Sequence, residues 1–78
     1  MEIKVGDYYF YDGFFGFQYV EKIVAIDNDK VSYSYFTESM EKIKYTSCHL
    51  ETYERDTTFK IHPILVKLYG LDKLFENK

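Results

Sequence analysis

Polar and apolar positions alternate along much of this chain with the two-residue period of a β-strand. The clearest case is Val31 to Phe36, where Val31, Tyr33 and Tyr35 alternate with Ser32 and Ser34. Gln18 to Ile26 reads as the strand before it. Between them, Asp27-Asn28-Asp29-Lys30 has the Asx residues that tolerate the left-handed backbone of a tight turn. In the first of these strands Val24 and Ile26 fit the core face set by Val31, and Ile23 falls out of phase, which points to a bulge.

The same period extends to both sides of this hairpin. Ile3 to Tyr11 is β-branched and aromatic, with Val5-Gly6-Asp7 as a bend entering it. Alternation puts Tyr8 and Phe10 on one face and Tyr9 and Tyr11 on the other, and both faces are apolar. Thr37 to Met40 reads as a turn. Glu41 to Thr46 alternates again, with Ile43 and Tyr45 opposite Lys42 and Lys44. Thr57 to His62 is a last short strand carrying Phe59 and Ile61.

Two stretches change to helical spacing. Ser47 is placed to cap a short helix near 47–55, Cys48 to Arg55, with Leu50 and Tyr53 inward. Pro63 to Glu76 reads as a C-terminal helix with Pro at its first position. Its stripe is Ile64, Leu65, Leu68, Leu71, Leu74 and Phe75. Gly70 interrupts it and marks either a break or a close approach to another backbone. That stripe either packs on the strands or joins two copies of the chain, so a monomer and a homodimer both stay open.

Composition sharpens one point. Of the 78 residues, 21% are aromatic, with nine Tyr, seven Phe and no Trp. Alternation or helical spacing places Tyr33, Tyr35, Tyr45, Tyr53 and Phe59 in the core. It does not place Phe14, Phe15 and Phe17, which sit in Asp12-Gly13-Phe14-Phe15-Gly16-Phe17, a segment with turn residues. Those rings either fold back over the core or form a contact surface with Tyr8 and Phe10. The length suits one domain, residues 1–78, with strands over 3–61 and the helix packed on them.

The order of a strand after Val5-Gly6-Asp7-Tyr8-Tyr9, an aromatic loop, a long hairpin at Val24 to Val31, a third strand and a helical segment resembles the small five-stranded barrels of the Src-homology-three (SH3) type. The resemblance covers residues 3–61 and implies a mainly β, SH3-like antiparallel barrel. The chain has neither the acidic first loop nor the Trp pair with which members of that family bind proline-rich peptides, so that activity is not implied. In size and composition the chain is also similar to small proteins of phages and mobile elements. That similarity implies a partner such as a host defence protein that is bound and inhibited.

Catalytic and metal chemistry find little support. Cys48 and His49 are adjacent, and adjacent side chains on a strand point apart. Cys48, His49 and His62 match no zinc spacing. Asp27-Asn28-Asp29 lacks the glycine and distal glutamate of a calcium loop. Gly13 and Gly16 precede neither a lysine nor a helix, as a phosphate loop requires. The expectation is a non-enzymatic module without cofactor or metal, contacting a protein partner through Tyr8, Phe10, Phe14, Phe15 and Phe17. The alternative partner is a nucleic acid, met by Lys22, Lys42, Lys44 and Lys60. The net charge of −3 favours the protein. No apolar run is long enough to span a bilayer. Met1 to Asp7 has no apolar run behind a basic start, and Cys48 is the lone cysteine, so a cytoplasmic location is expected.

Overall fold

The structure is a computed structural model that describes residues 3–12, 18–36, 43–56 and 59–76. It is mainly β. Strands β1 (Tyr8–Asp12), β2 (Gln18–Asp27), β3 (Lys30–Phe36), β4 (Lys44–His49) and β5 (Phe59–Ile61) form one antiparallel sheet in the order β4-β3-β2-β1-β5. Helix α1 (Leu50–Asp56) lies between β4 and β5, and α2 (Pro63–Leu68) and α3 (Leu71–Glu76) end the chain.

The β2–β3 hairpin forms where the Asx turn predicts it. Asn28 has φ 57°, and Asp27 pairs with Lys30. The bend before β1 also stands: Gly6 has φ 93°, its N–H donates to the Ile23 carbonyl at 2.9 Å, and the Ile23 N–H donates to the Asp7 carbonyl at 2.9 Å. The out-of-phase position in β2 is a bulge between Ile23 and Ala25. Its outcome is the reverse of the expected facing. Ile23 is fully buried and Val24 is exposed, because the extra residue lets Ile23 and Ile26 share one face.

The sheet is open. Its edges, β4 and β5, do not pair with one another among the described residues, whereas the sequence reading has a barrel. Both faces of the sheet carry apolar rows, and each has its own helical cover, which a barrel interior would make unnecessary. On one face Tyr8, Ile61, Val66 and Phe75 form a buried cluster beneath α2 and α3, joined by Phe10, Val20, Phe36 and Leu71. On the other, Tyr9, Ile23, Val31 and Tyr53 form a second cluster beneath α1, joined by Ile3, Ile26, Tyr33 and Leu50.

Two helical expectations shift. Strand β4 runs to His49, so Cys48 belongs to the strand and the helix begins at Leu50, whose N–H donates to the Asp29 carbonyl at 2.6 Å. The C-terminal helix breaks at Gly70, which has φ 67°. The break turns α3 so that Phe75 is buried, while α2 buries Val66 alone. Ile64, Leu65 and Leu68 of the expected stripe remain exposed, as do Tyr45 and Phe59. The Thr37–Met40 turn lies outside the described residues. Among the described residues no helix is long and apolar enough to cross a membrane.

Candidate functional site: a tyrosine-lined pocket over Glu21

Register across the sheet decides which side chains meet. Tyr9 on β1 pairs with Glu21 on β2, and Glu21 with Tyr35 on β3. One step along, Tyr11 pairs with Tyr19. On the other side Ile23 pairs with Tyr33, and Tyr33 with Thr46 on β4. Cross-strand partners share a face, so alternation on three adjacent strands gathers tyrosines on the face that α1 covers. Tyr53 of α1 completes the set.

These rings form a continuous chain. Tyr11 and Tyr19 are stacked, with centroids 5.7 Å apart. Tyr35 stands edge-on to Tyr19 at 5.3 Å and 83°. Tyr33 links Tyr35 at 6.1 Å to Tyr53 at 4.9 Å, and Tyr53 meets Tyr9 edge-on at 5.9 Å. Short helix α1 covers only part of the face. Next to it lies an open pocket of about 300 Å³ lined by Tyr11, Tyr19, Tyr33, Tyr35, Tyr53 and Glu21. Thr46, Thr52 and Cys48 complete the lining, which contains no basic side chain among the described residues.

Glu21 is the unusual member. It is 5% exposed, and its Oε1 has no hydrogen-bond partner among the described residues. Loss of solvation raises its pKa to about 7, and the neighbouring Tyr53 hydroxyl, as a hydrogen-bond donor, opposes part of that rise. Burial also pushes the Tyr33 phenol up, and the nearby Glu21 carboxylate adds to this. A carboxylate with an unsatisfied oxygen beneath aromatic walls is costly to the fold. Such costs concentrate at functional sites.

The residues singled out in the sequence are placed as follows. Tyr8 and Phe10 lie on the opposite face. Tyr8 is buried edge-on to Phe75 at 5.6 Å, and Phe10 is half-buried and stacked on Phe59 at 5.2 Å. Phe14, Phe15 and Phe17 lie outside the described residues. Of the lysines, Lys22 sits over the Tyr8 ring at 5.7 Å, Lys60 pairs with Asp7 at 3.3 Å, Lys44 is exposed on β4, and Lys42 is outside the described residues. His49 points toward Asp29 at the exposed hairpin end, 3.8 Å away, while Cys48 lines the pocket. Among the described residues no group of three His, Cys, Asp or Glu side chains is placed to hold a metal ion.

Sequence reasoning missed Glu21. A glutamate beside Lys22 in a long strand looks like a solvated position. The available signal was the common period of Tyr9 and Tyr11, Tyr19 and Glu21, and Tyr33 and Tyr35 on strands that had to be neighbours.

Comparison with known protein families, curated proteins and solved structures finds no match. The functional reading therefore rests on the geometry of this pocket.

Proposed function

We propose that this domain is a non-enzymatic protein-interaction module that receives a side chain of its partner in the tyrosine-lined pocket. The observation that carries the reading is the open, ring-walled pocket over Glu21. Tyrosine offers a large rigid contact area with a polar tip, and it is enriched among the residues that dominate protein interfaces. A volume of about 300 Å³ is at the lower end for small-ligand pockets and suits a side-chain-sized group. Among the described residues the lining has a carboxylate and no basic side chain, which favours this reading over a nucleic acid, whose phosphates call for cations. We read the fold as an opened SH3-like barrel, on the support of its single antiparallel sheet with β5 returning beside β1. We keep Phe14, Phe15 and Phe17, which lie outside the described residues, as partner-contacting residues of this proposal.

A peptide array probed with the labelled domain tests this. Wild type is expected to select a subset of peptides, and Tyr35→Ala, checked for retained fold by circular dichroism, to lose them. A Phe14, Phe15, Phe17 triple alanine variant is expected to weaken the same spots. Undiminished binding by Tyr35→Ala would remove the pocket from the interface.

A further inference from the structure

We infer that the group received by this pocket is an alkylated ammonium, a cation whose charge is wrapped in methyl or methylene groups. The inference rests on the recognition role of the pocket proposed above and specifies its chemistry.

Three features of the pocket point the same way. The first is the ring arrangement. Tyr19 and Tyr35 stand at 83° to one another, and Tyr11 and Tyr33 extend the wall on either side. An aromatic face bordering a pocket offers a negative quadrupole surface to a positive centre, which is how proteins hold quaternary ammonium groups. The second is the floor. Among the described residues Glu21 supplies the lining's one carboxylate, withdrawn from water, with an oxygen that no described group satisfies. A charge in such surroundings acts on a cation above it far more strongly than it would in solvent. The third is what the walls lack. Among the described residues the lining has no basic side chain to pair with an anion.

The depth of Glu21 chooses among cations. Its Oε1 is withdrawn from solvent although Glu21 borders the pocket. A primary ammonium leaving water has three N–H donors to satisfy, and leaving them unmade is costly. An alkylated ammonium presents an apolar surface to the rings and needs no such bonds, so it gains from the aromatic walls and from the field of Glu21 together. The titratable groups around the carboxylate are compatible with this. Those sharing the pocket with it are the phenols of Tyr11 on β1, Tyr19 on β2, Tyr33 and Tyr35 on β3 and Tyr53 on α1, and the Cys48 thiol on β4. Lys60 and Lys44 end the same cross-strand row on the two edge strands, and Lys60 is engaged by Asp7.

The test compares choline with 3,3-dimethylbutan-1-ol, its uncharged isostere, by NMR titration of the full chain. Two peptides that differ only by trimethylation of one lysine form a second arm. Choline is expected to shift the signals of Tyr19, Tyr35 and Glu21, and the neutral isostere to leave them in place. Glu21→Gln is expected to weaken choline binding about tenfold at pH 8. Choline keeps its charge at every pH, so affinity that rises between pH 5 and pH 8 reports ionisation of Glu21. Preference for the trimethylated peptide over free choline assigns the group to a protein partner, and the reverse assigns it to a small molecule. Equal shifts with choline and the isostere, or none with any cation at millimolar concentration, would overturn the inference. If Tyr35→Ala still loses its array peptides in that case, the pocket remains the recognition site and only its ligand class is wrong.

Discussion

The two faces of the sheet are both aromatic, yet they are built from different rings. All four described phenylalanines, Phe10, Phe36, Phe59 and Phe75, belong to the side covered by α2 and α3. Six tyrosines, Tyr9, Tyr11, Tyr19, Tyr33, Tyr35 and Tyr53, line the side covered by α1. The two rings bury similar areas and differ in one hydroxyl. On the α2–α3 side the phenylalanines range from buried Phe75 through half-buried Phe10 and Phe36 to exposed Phe59. On the α1 side Tyr9 and Tyr53 are buried and Tyr11, Tyr19, Tyr33 and Tyr35 border the pocket, where a polar tip can meet a partner or water. Both faces hold the fold together: Tyr9, Ile23 and Val31 are fully buried on the α1 side, and Phe75 and Val66 are buried on the other, while the α1 side gives up some stability at Glu21 beside its pocket.

The largest expected contrast is between one ring from each face. Phe75→Ala removes a buried ring and is expected to cost about 3–5 kcal/mol. For a domain of this size that lowers Tm by well over 10 °C, at roughly 4–8 °C per kcal/mol. Tyr35→Ala, on the open side, is expected to cost about 1 kcal/mol and to abolish ligand binding. Equal losses of Tm in calorimetry would mean that the two faces are packed alike.

Next in size is Glu21. Its folded pKa of about 7 lies above that of an exposed glutamate, so the folded state holds a proton that the unfolded state releases. Stability from this group is complete below about pH 4.5, falls as the pH rises through about 7, and is level above that. Glu21→Gln is therefore expected to raise stability at pH 8 by on the order of 2 kcal/mol and to match wild type at pH 4. Urea denaturation of both proteins across this range checks it, and a difference independent of pH would place Glu21 in water.

Much of the architecture was legible in the sequence because local rules govern it. Asn28 at the hairpin turn, Pro63 at a helix start, Gly70 at a break, and Leu50 and Tyr53 as the inner side of α1 all follow from short-range preferences. The mistaken positions depend on longer-range events. Val24 and Ile23 exchange roles because a bulge resets the period of β2. Tyr45 and Phe59 alternate correctly but lie on edge strands, where little covers them. The exposed Ile64 and Leu68 follow from the turn at Gly70, which splits one apolar stripe between two directions. The pocket was the least legible part, since it arises only when β1, β2 and β3 align their tyrosines in register.

Two smaller effects sharpen the picture of the side covered by α2 and α3. Gly70→Ala is expected to cost about 1 kcal/mol, because φ 67° is a left-handed conformation that a side chain disfavours even though the space around it is open. Leu68→Ser is expected to change stability by less than about 0.5 kcal/mol, since Leu68 is 71% exposed. A large loss at Leu68 in thermal melts would mean that a partner copy covers α2.

The most direct measurement of the two-face account is the titration of the Glu21 side-chain carboxyl by carbon-detected NMR, without and with choline. The account predicts a midpoint of about 7 in the free protein, moving to lower pH when the cation binds. A midpoint in the ordinary glutamate range, near 4.3, that choline leaves unchanged would contradict it.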